Sequence, residues 1–261
     1  MVDTKGLLGT NRPFEVPAHI GQVRLVVTDN PAKAQTAVGA YMHRSPVRQG
    51  LRIAGGCSGM SPQDKLDMLD YFRRALNGYS GFVSSGATRG VVGGHIDPMI
   101  TDVPAMLAKH RGARVLTIST VPRTGDMALT GDSRLVLDTS NGVNPQPGVH
   151  MIVVFQPQLA HEALGWDGDV DGYFSLFDAC VKLAHWRFAM PVWNGGGVTR
   201  EEALKAAKLG WPVILIEGSG RQADTLAAEV RQRKLRGPFT IARRDDPETL
   251  RTALRRRGFA L

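Results

Sequence analysis

The amino-acid sequence predicts an α/β fold: a mostly parallel β-sheet with helices on both faces. Three features of the chain predict it. Short apolar runs alternate with stretches of helical spacing, the pattern of repeated β-α-β units. Runs such as HMIVVFQ (150–156) are continuously apolar, as strands covered on both faces are. Where a run ends, glycines gather before the helical stretch begins, so the connections are tight turns.

The elements follow in order. Residues 1–20 are rich in Gly, Pro and polar side chains and read as an irregular arm. Gln22 to Thr28 is a strand and Pro31 to Arg44 a helix with Ala34, Ala37, Val38 and Tyr41 on one side, so 21–50 forms an added strand and helix. Leu51 to Gly56 is the next strand. Beyond it Ser61 suits an N-cap, Pro62 the first helical position and Asp64 the positive end of the dipole. Leu66, Leu69, Phe72 and Leu76 then form a buried stripe that stops at Asn77-Gly78. Gly81 to Ile100 is expected to repeat strand, turn and helix. Ala113 to Thr120 is a strand, followed by a loop through Gly131 and a short strand, SRLVLDT (133–139). After the run at 150–156 comes an Asp/Gly-rich loop and a helix over Phe174 to Trp186.

Two strand–glycine-turn–helix units lie end to end from Met190 to Val230. The strands are Met190 to Trp193 and Pro212 to Ile216. In the first helix Ala203, Leu204 and Ala207 face inward while Glu201, Lys205 and Lys208 face water, and Gly210 ends it. In the second, Ala223, Leu226, Ala227 and Val230 make the buried stripe. Residues 231–261 read as a basic C-terminal extension.

At 261 residues the chain suits one domain over 1–261. No run approaches the roughly 18 apolar residues of a membrane span, and the N-terminus has no basic-then-apolar signal pattern. No membrane insertion and a cytoplasmic location are expected. Cys57 and Cys180 lie far apart, outside any CxxC spacing, as in a reduced compartment. A net charge of +8 and a pI near 9.9 favour anionic partners, nucleotides and nucleic acid among them. Much of the excess lies in RQRKLR (231–236), Arg243, Arg244 and Arg255 to Arg257, for which a solvated basic face is the simplest account.

Open α/β sheets bind ligands beyond the carboxyl ends of their strands, where helix N-termini present unpaired N–H groups. Four turns should meet there. They hold Gly55, Gly56 and Ser58; Gly86, Thr88, Arg89 and Gly90; Asn194, Gly195, Gly196, Gly197 and Thr199; and Glu217, Gly218, Ser219, Gly220 and Arg221. Ser219 with Arg221, and Thr88 with Arg89, each pair a hydroxyl with a guanidinium suited to phosphate. Helix capping beside a surface arginine is the simpler reading of each pair. Asp224 is a dipole partner or an acceptor for a ribose hydroxyl. Trp193, Cys57 and His95 read as structural. No turn continues as GK[ST], and no GxSxG is present. DGDVDGYFSLFD (167–178) matches part of a calcium-loop pattern, so Asp167, Asp169 and Asp171 are candidate ligands for a divalent cation. The alternative is a D/G turn opening a helix. No resident cofactor is otherwise indicated.

PVILIEGSGRQADTLA (212–227), GFVSSGATRGVVGGHID (81–97) and VWNGGGVTREEAL (192–204) resemble the strand and glycine-turn motifs of the SLOG superfamily of Rossmann-like domains. The likeness runs from about Leu51 to Val230. It is strongest to the subgroup in the N-terminal cytoplasmic region of melastatin-type transient receptor potential channels and in free-standing prokaryotic proteins. The resemblance implies a Rossmann-like fold, a homodimer, and binding or sensing of a nucleotide or a nucleotide-derived signal such as ADP-ribose. Its phosphates would lie over Gly86 to Gly90 and Gly218 to Arg221. The "lonely guy" enzymes of the same superfamily cleave a nucleotide's N-glycosidic bond with a PGGxGTxxE motif. NGGGVTREE is similar, with Glu202 at the carboxylate position, but Asn194 and Val198 depart from the motif and no upstream arginine is assignable. The superfamily's DNA-processing Smf/DprA branch implies single-stranded nucleic acid as a further alternative.

Overall fold

The apolar runs become strands and the stretches between them helices. A computed structural model describes residues 18–20, 23–45, 47–86, 90–92, 95–97, 100, 102–110, 114–122, 151–155, 164–165 and 167–261. Along the chain the strands are β1 (Ala18–Ile20), β2 (Val23–Thr28), β3 (Gln49–Arg52), β4 (Ala54–Gly56), β5 (Ser80–Gly86), β6 (Gly90–Val92), β7 (His95–Asp97), β8 (Arg114–Pro122), β9 (Met151–Phe155), β10 (Arg187–Asn194), β11 (Val213–Glu217) and β12 (Phe239–Arg243). The helices are α1 (Pro31–Met42), α2 (Pro62–Ala75), α3 (Asp102–Lys109), α4 (Val170–Ala184), α5 (Gly197–Lys208), α6 (Arg221–Arg231) and α7 (Pro247–Arg256). Among the described residues no helix is long and apolar enough to cross a membrane.

The sheet runs β1-β2-β9-β8-β5-β3-β10-β11-β12, with β4 also on β10, and every pairing except β1 with β2 is parallel. This is a Rossmann-like α/β fold. From β3 the chain builds outward through β5 and β8, then returns to lay β10, β11 and β12 on the other side. The reversal makes β3 and β10 the topological switch point, where an open parallel sheet leaves a crevice at its carboxyl edge.

Two apolar layers cover the sheet. One joins Val38 of α1, Tyr173 and Phe177 of α4, Ala203 of α5 and Leu226 of α6. The other joins Met68 and Phe72 of α2, Leu107 of α3 and Leu254 of α7, with Trp193 fully buried among them. The helix after β3 and the helix after β10 therefore lie on opposite faces, and their N-termini flank the crevice.

The start of α2 is as expected: Ser61 and Asp64 form a reciprocal capping box and Pro62 opens the helix. Gly210 takes the left-handed conformation after α5, with φ of 80°. Several expectations are corrected. The buried residues of α2 are Lys65, Met68, Tyr71, Phe72 and Ala75, while Leu66 is 52% exposed, so the helix is turned by about one residue. In α5 the buried residues are Thr199, Glu202, Ala203 and Ala206, and Leu204 is exposed. After β5 the chain forms the β6–β7 hairpin before α3, instead of the expected turn leading straight into a helix. The expected basic extension supplies β12 and α7, which complete the sheet and the second layer. The strand expected at 133–139 lies outside the described residues.

Candidate functional site

At the switch point the two loops are tied together. Gly55 sits where a Cβ would overlap the Trp193 carbonyl, so β4 and β10 approach as only glycine allows. Asn194, with φ of 53°, turns back from β10 and donates from Nδ2 to the carbonyls of Gly56 (2.7 Å) and Ser58 (3.2 Å). The Asn194 amide donates to Ser219 Oγ (2.9 Å), whose hydroxyl donates to the Ile216 carbonyl (2.5 Å). Asn194 and Ser219 thus hold three turns of the carboxyl edge in register.

The glycine turns that open α5 and α6 differ in what their amides face. In the α6 turn the Asp224 carboxylate accepts from Gly218 N (2.7 Å) and Gly220 N (3.2 Å). A carboxylate of the chain thus already occupies two amides of this turn. The N-caps of both helices are glycines, Gly196 at α5 and Gly220 at α6, with no side chain to offer, but among the described residues the α5 turn has no carboxylate like Asp224 bound to its amides. Thr199 does not fill the gap. Its side chain packs beneath Gly195, where a Cβ would come within 2.5 Å of it.

Arg221 joins the two turns. It begins α6, yet its guanidinium reaches across to the α5 turn: a Cβ on Gly196 would lie 3.3 Å from Arg221 Nη2. Among the described residues nothing pairs with this guanidinium. The Arg221 backbone has φ of 43°, a left-handed conformation that costs a side-chain-bearing residue roughly 1–2 kcal/mol and glycine nothing comparable. A strained position kept for a long cation beside an uncapped helix N-terminus has the physical requirements of an anion site.

Beneath this edge lies a buried polar network. Arg52 ends β3 at 4% exposure and donates through Nη1 to Ser84 Oγ and Thr120 Oγ1 (both 3.2 Å) and through Nη2 to Glu202 Oε1 (3.0 Å). Tyr173 donates to the same Glu202 oxygen (2.6 Å), and its ring lies 3.9 Å from the Arg52 guanidinium carbon. The Thr120 hydroxyl in turn donates to Asp169 Oδ2 (2.7 Å). Burial pushes the Asp169 carboxyl up to about 6, opposed by the charge of Arg52 and the Thr120 hydrogen bond. Burial works against the charge of Arg52, but Tyr173, Glu202 and Asp169 outweigh it and hold the guanidinium charged. Arg52 Nε has no hydrogen-bond partner among the described residues. Replacing a buried ion pair with apolar side chains is often neutral for stability, so stability alone does not call for such a network.

Sequence reasoning selected Glu202 from its motif but missed Arg52, Tyr173 and Thr120. The available signal was an arginine inside the otherwise apolar run LRIAGG.

The other predicted residues are placed as follows. Gly86 ends β5, Gly90 begins β6, and Thr88 and Arg89 lie outside the described residues. Glu217 is bound by Arg231 (2.6 Å). Asp167, Asp169 and Asp171 do not converge, because the chain turns helical at Val170; Asp169 bonds Thr120 and Asp171 pairs with Lys205. Among the described residues no group of three His, Cys, Asp or Glu side chains is arranged to hold a metal ion. On the α2 and α7 side of the edge is a cleft of about 610 Å³, bordered by Trp193, Gly218 and Tyr71 and by the ion-paired Arg243 and Arg244.

No family model matches the chain, and no curated protein matches it. Among solved structures it is similar to TM1055, a structural genomics target, with a TM-score of 0.46 and 16% identity over 80% of this chain and 99% of that one. It is likewise similar to a molybdenum cofactor binding protein from the phototrophic bacterium Rippkaea orientalis, with a TM-score of 0.47 and 17% identity over 81% of this chain and 98% of that one.

Proposed function

We propose that this chain binds a nucleotide or a nucleotide-derived signal, ADP-ribose-like molecules among them, at the carboxyl edge of its sheet. A phosphate sits between the α5 N-terminus and Arg221, and Asn194 fixes the turn beneath it. The observation that carries this reading is the Arg221 guanidinium, unpaired among the described residues and held over Gly196 by a strained backbone. Trp193, on the border of the cleft, and Gly196 are three steps apart along the chain. That is at most about 10 Å of chain and within the length of a nucleotide. The SLOG-like motifs support the same class of ligand. Calorimetry with ADP-ribose, cyclic ADP-ribose, NAD and AMP, on the wild type and on Arg221→Ala, tests it. Binding of at least one that weakens in the variant is expected; binding of none, or equal binding by both proteins, refutes it.

A second reading is favoured by the Arg52–Glu202 pair. In cleavage of an N-glycosidic bond, Glu202 would stabilise the cationic sugar, with Arg52 and Tyr173 holding its carboxylate in place. Release of free base from nucleoside monophosphates, abolished in Glu202→Gln while ligand binding persists, is the expected result. A broad panel with no release excludes turnover and leaves binding as the function.

A further inference from the structure

Because strands β3, β5 and β8 to β12 are parallel, the helix C-termini and the entries to the strands gather on the amino edge, opposite the anion site. Arg48 and Arg187 meet there through Arg187 N to Arg48 O (3.1 Å), and Arg187 Nη1 donates to the Gly258 carbonyl (2.8 Å), which brings in the end of α7. Val213 N bonds Pro238 O (3.0 Å), and Gly237 lies beside Ala207 at the end of α5. The segments that form this part of the edge, 43–45, 47–50, 185–188, 208–212, 232–239 and 255–261, contain ten Lys and Arg and no Asp or Glu. Arg233, Arg236, Arg255, Arg256 and Arg257 are exposed and have no ion-pair partner among the described residues. The carboxylates of neighbouring helices, Asp178 and Glu229, are taken by Lys182 and Arg200.

Cations at helix C-termini answer the helix dipoles, but that need is met by one or two per helix. It does not require strand entries and turns to be free of acids as well. From β3 to β12 the edge spans three strand spacings, about 14 Å, with bases at both ends and between them. We infer that the amino edge is a docking surface for the phosphate backbone of duplex nucleic acid, bound without regard to sequence. The Trp186, Trp211 and Phe259 rings of the edge are buried and Phe239 is half-buried, so the edge offers cations for phosphates and no fully exposed Trp, Tyr or Phe for stacking on bases or anchoring in a bilayer. This surface is separate from the anion site and stands or falls independently of it.

Fluorescence anisotropy of the full chain with a labelled duplex of arbitrary sequence, across a salt series, tests the inference. Contact with about five phosphates predicts that affinity falls several-hundred-fold between 50 and 200 mM salt. Changing Arg255, Arg256 and Arg257 together to Ala should cut the logarithmic salt slope by about three, whereas the triple Lys variant should keep the slope. Arg221→Ala should leave duplex binding unchanged. Absence of binding at low salt, an unaltered slope in the triple Ala variant, or loss of duplex binding in Arg221→Ala would each overturn it. So would tighter binding to phosphatidylcholine–phosphatidylserine vesicles than to the duplex.

Discussion

The turn before α5 and the turn before α6 look alike in sequence, yet the chain treats them in opposite ways. GSGRQAD closes on itself: Asp224 reaches back one helical turn and takes the amides of Gly218 and Gly220. NGGGVT stays uncapped, and the neighbouring turn lends it Arg221. A glycine-rich strand-to-helix turn is therefore no anion site until the acceptors within the chain have been counted. Here the motif that looks the more specific for phosphate has two of its amides taken by Asp224 and places a guanidinium beside its neighbour.

The largest test of this contrast is Arg221→Ala. Removing one charge-assisted contact of about 1.5–3 kcal/mol should weaken nucleotide binding roughly ten- to a hundred-fold, as calorimetry would read it, with little change in folding.

The α5 turn also differs in the ionisable network beneath it. The Asp169 carboxyl, raised to about 6, favours the protonated folded state. Its contribution to stability is fully present below the ordinary carboxylate range near pH 4 and is lost as pH rises through 6. Urea unfolding from pH 4 to 7.5 should show the wild type losing on the order of 2 kcal/mol relative to Asp169→Asn. Parallel curves for the two proteins would mean that Asp169 is not held this way.

A smaller effect comes from opening the closed turn. Asp224→Ala removes the internal cap and should cost about 1 kcal/mol, a fall in Tm of roughly 2–4 °C. Because it frees the Gly218 and Gly220 amides, added inorganic phosphate should restore part of that loss in the variant and not in the wild type. If phosphate protects both equally, the two turns are not distinguished by their caps.

Much of the fold was legible in the sequence because strands covered on both faces are written as apolar runs and helix starts as caps. Ser61, Pro62 and Asp64 placed the start of α2 correctly. The phase of that helix was not legible: the Lys65 stem is buried while Leu66 is exposed, a choice made by packing against the sheet, not by hydrophobicity. Residues 231–261 read as an extension because arginines dominate them, although Leu250, Ala253 and Leu254 on one face suffice to close the second layer. At the candidate site, Asn194 and Gly196 could be picked out from their own turn. The pairing of Arg52 with Glu202 was not, since 150 residues separate them and only the β3–β10 neighbourhood brings them together. Nor could spacing alone show that Asp224 fills its own turn, because a first-turn aspartate serves a bound ligand or a bare amide equally well.

The central claim is that the chain tolerates strain at position 221 in order to hold a cation over the α5 turn. Arg221→Gly tests it most directly, because glycine relieves the backbone and removes the guanidinium in one step. Thermal unfolding and calorimetry on the same preparation should show the variant more stable by about 1 kcal/mol and its nucleotide affinity reduced at least tenfold. A variant that binds as the wild type does, or that gains no stability, would contradict the account.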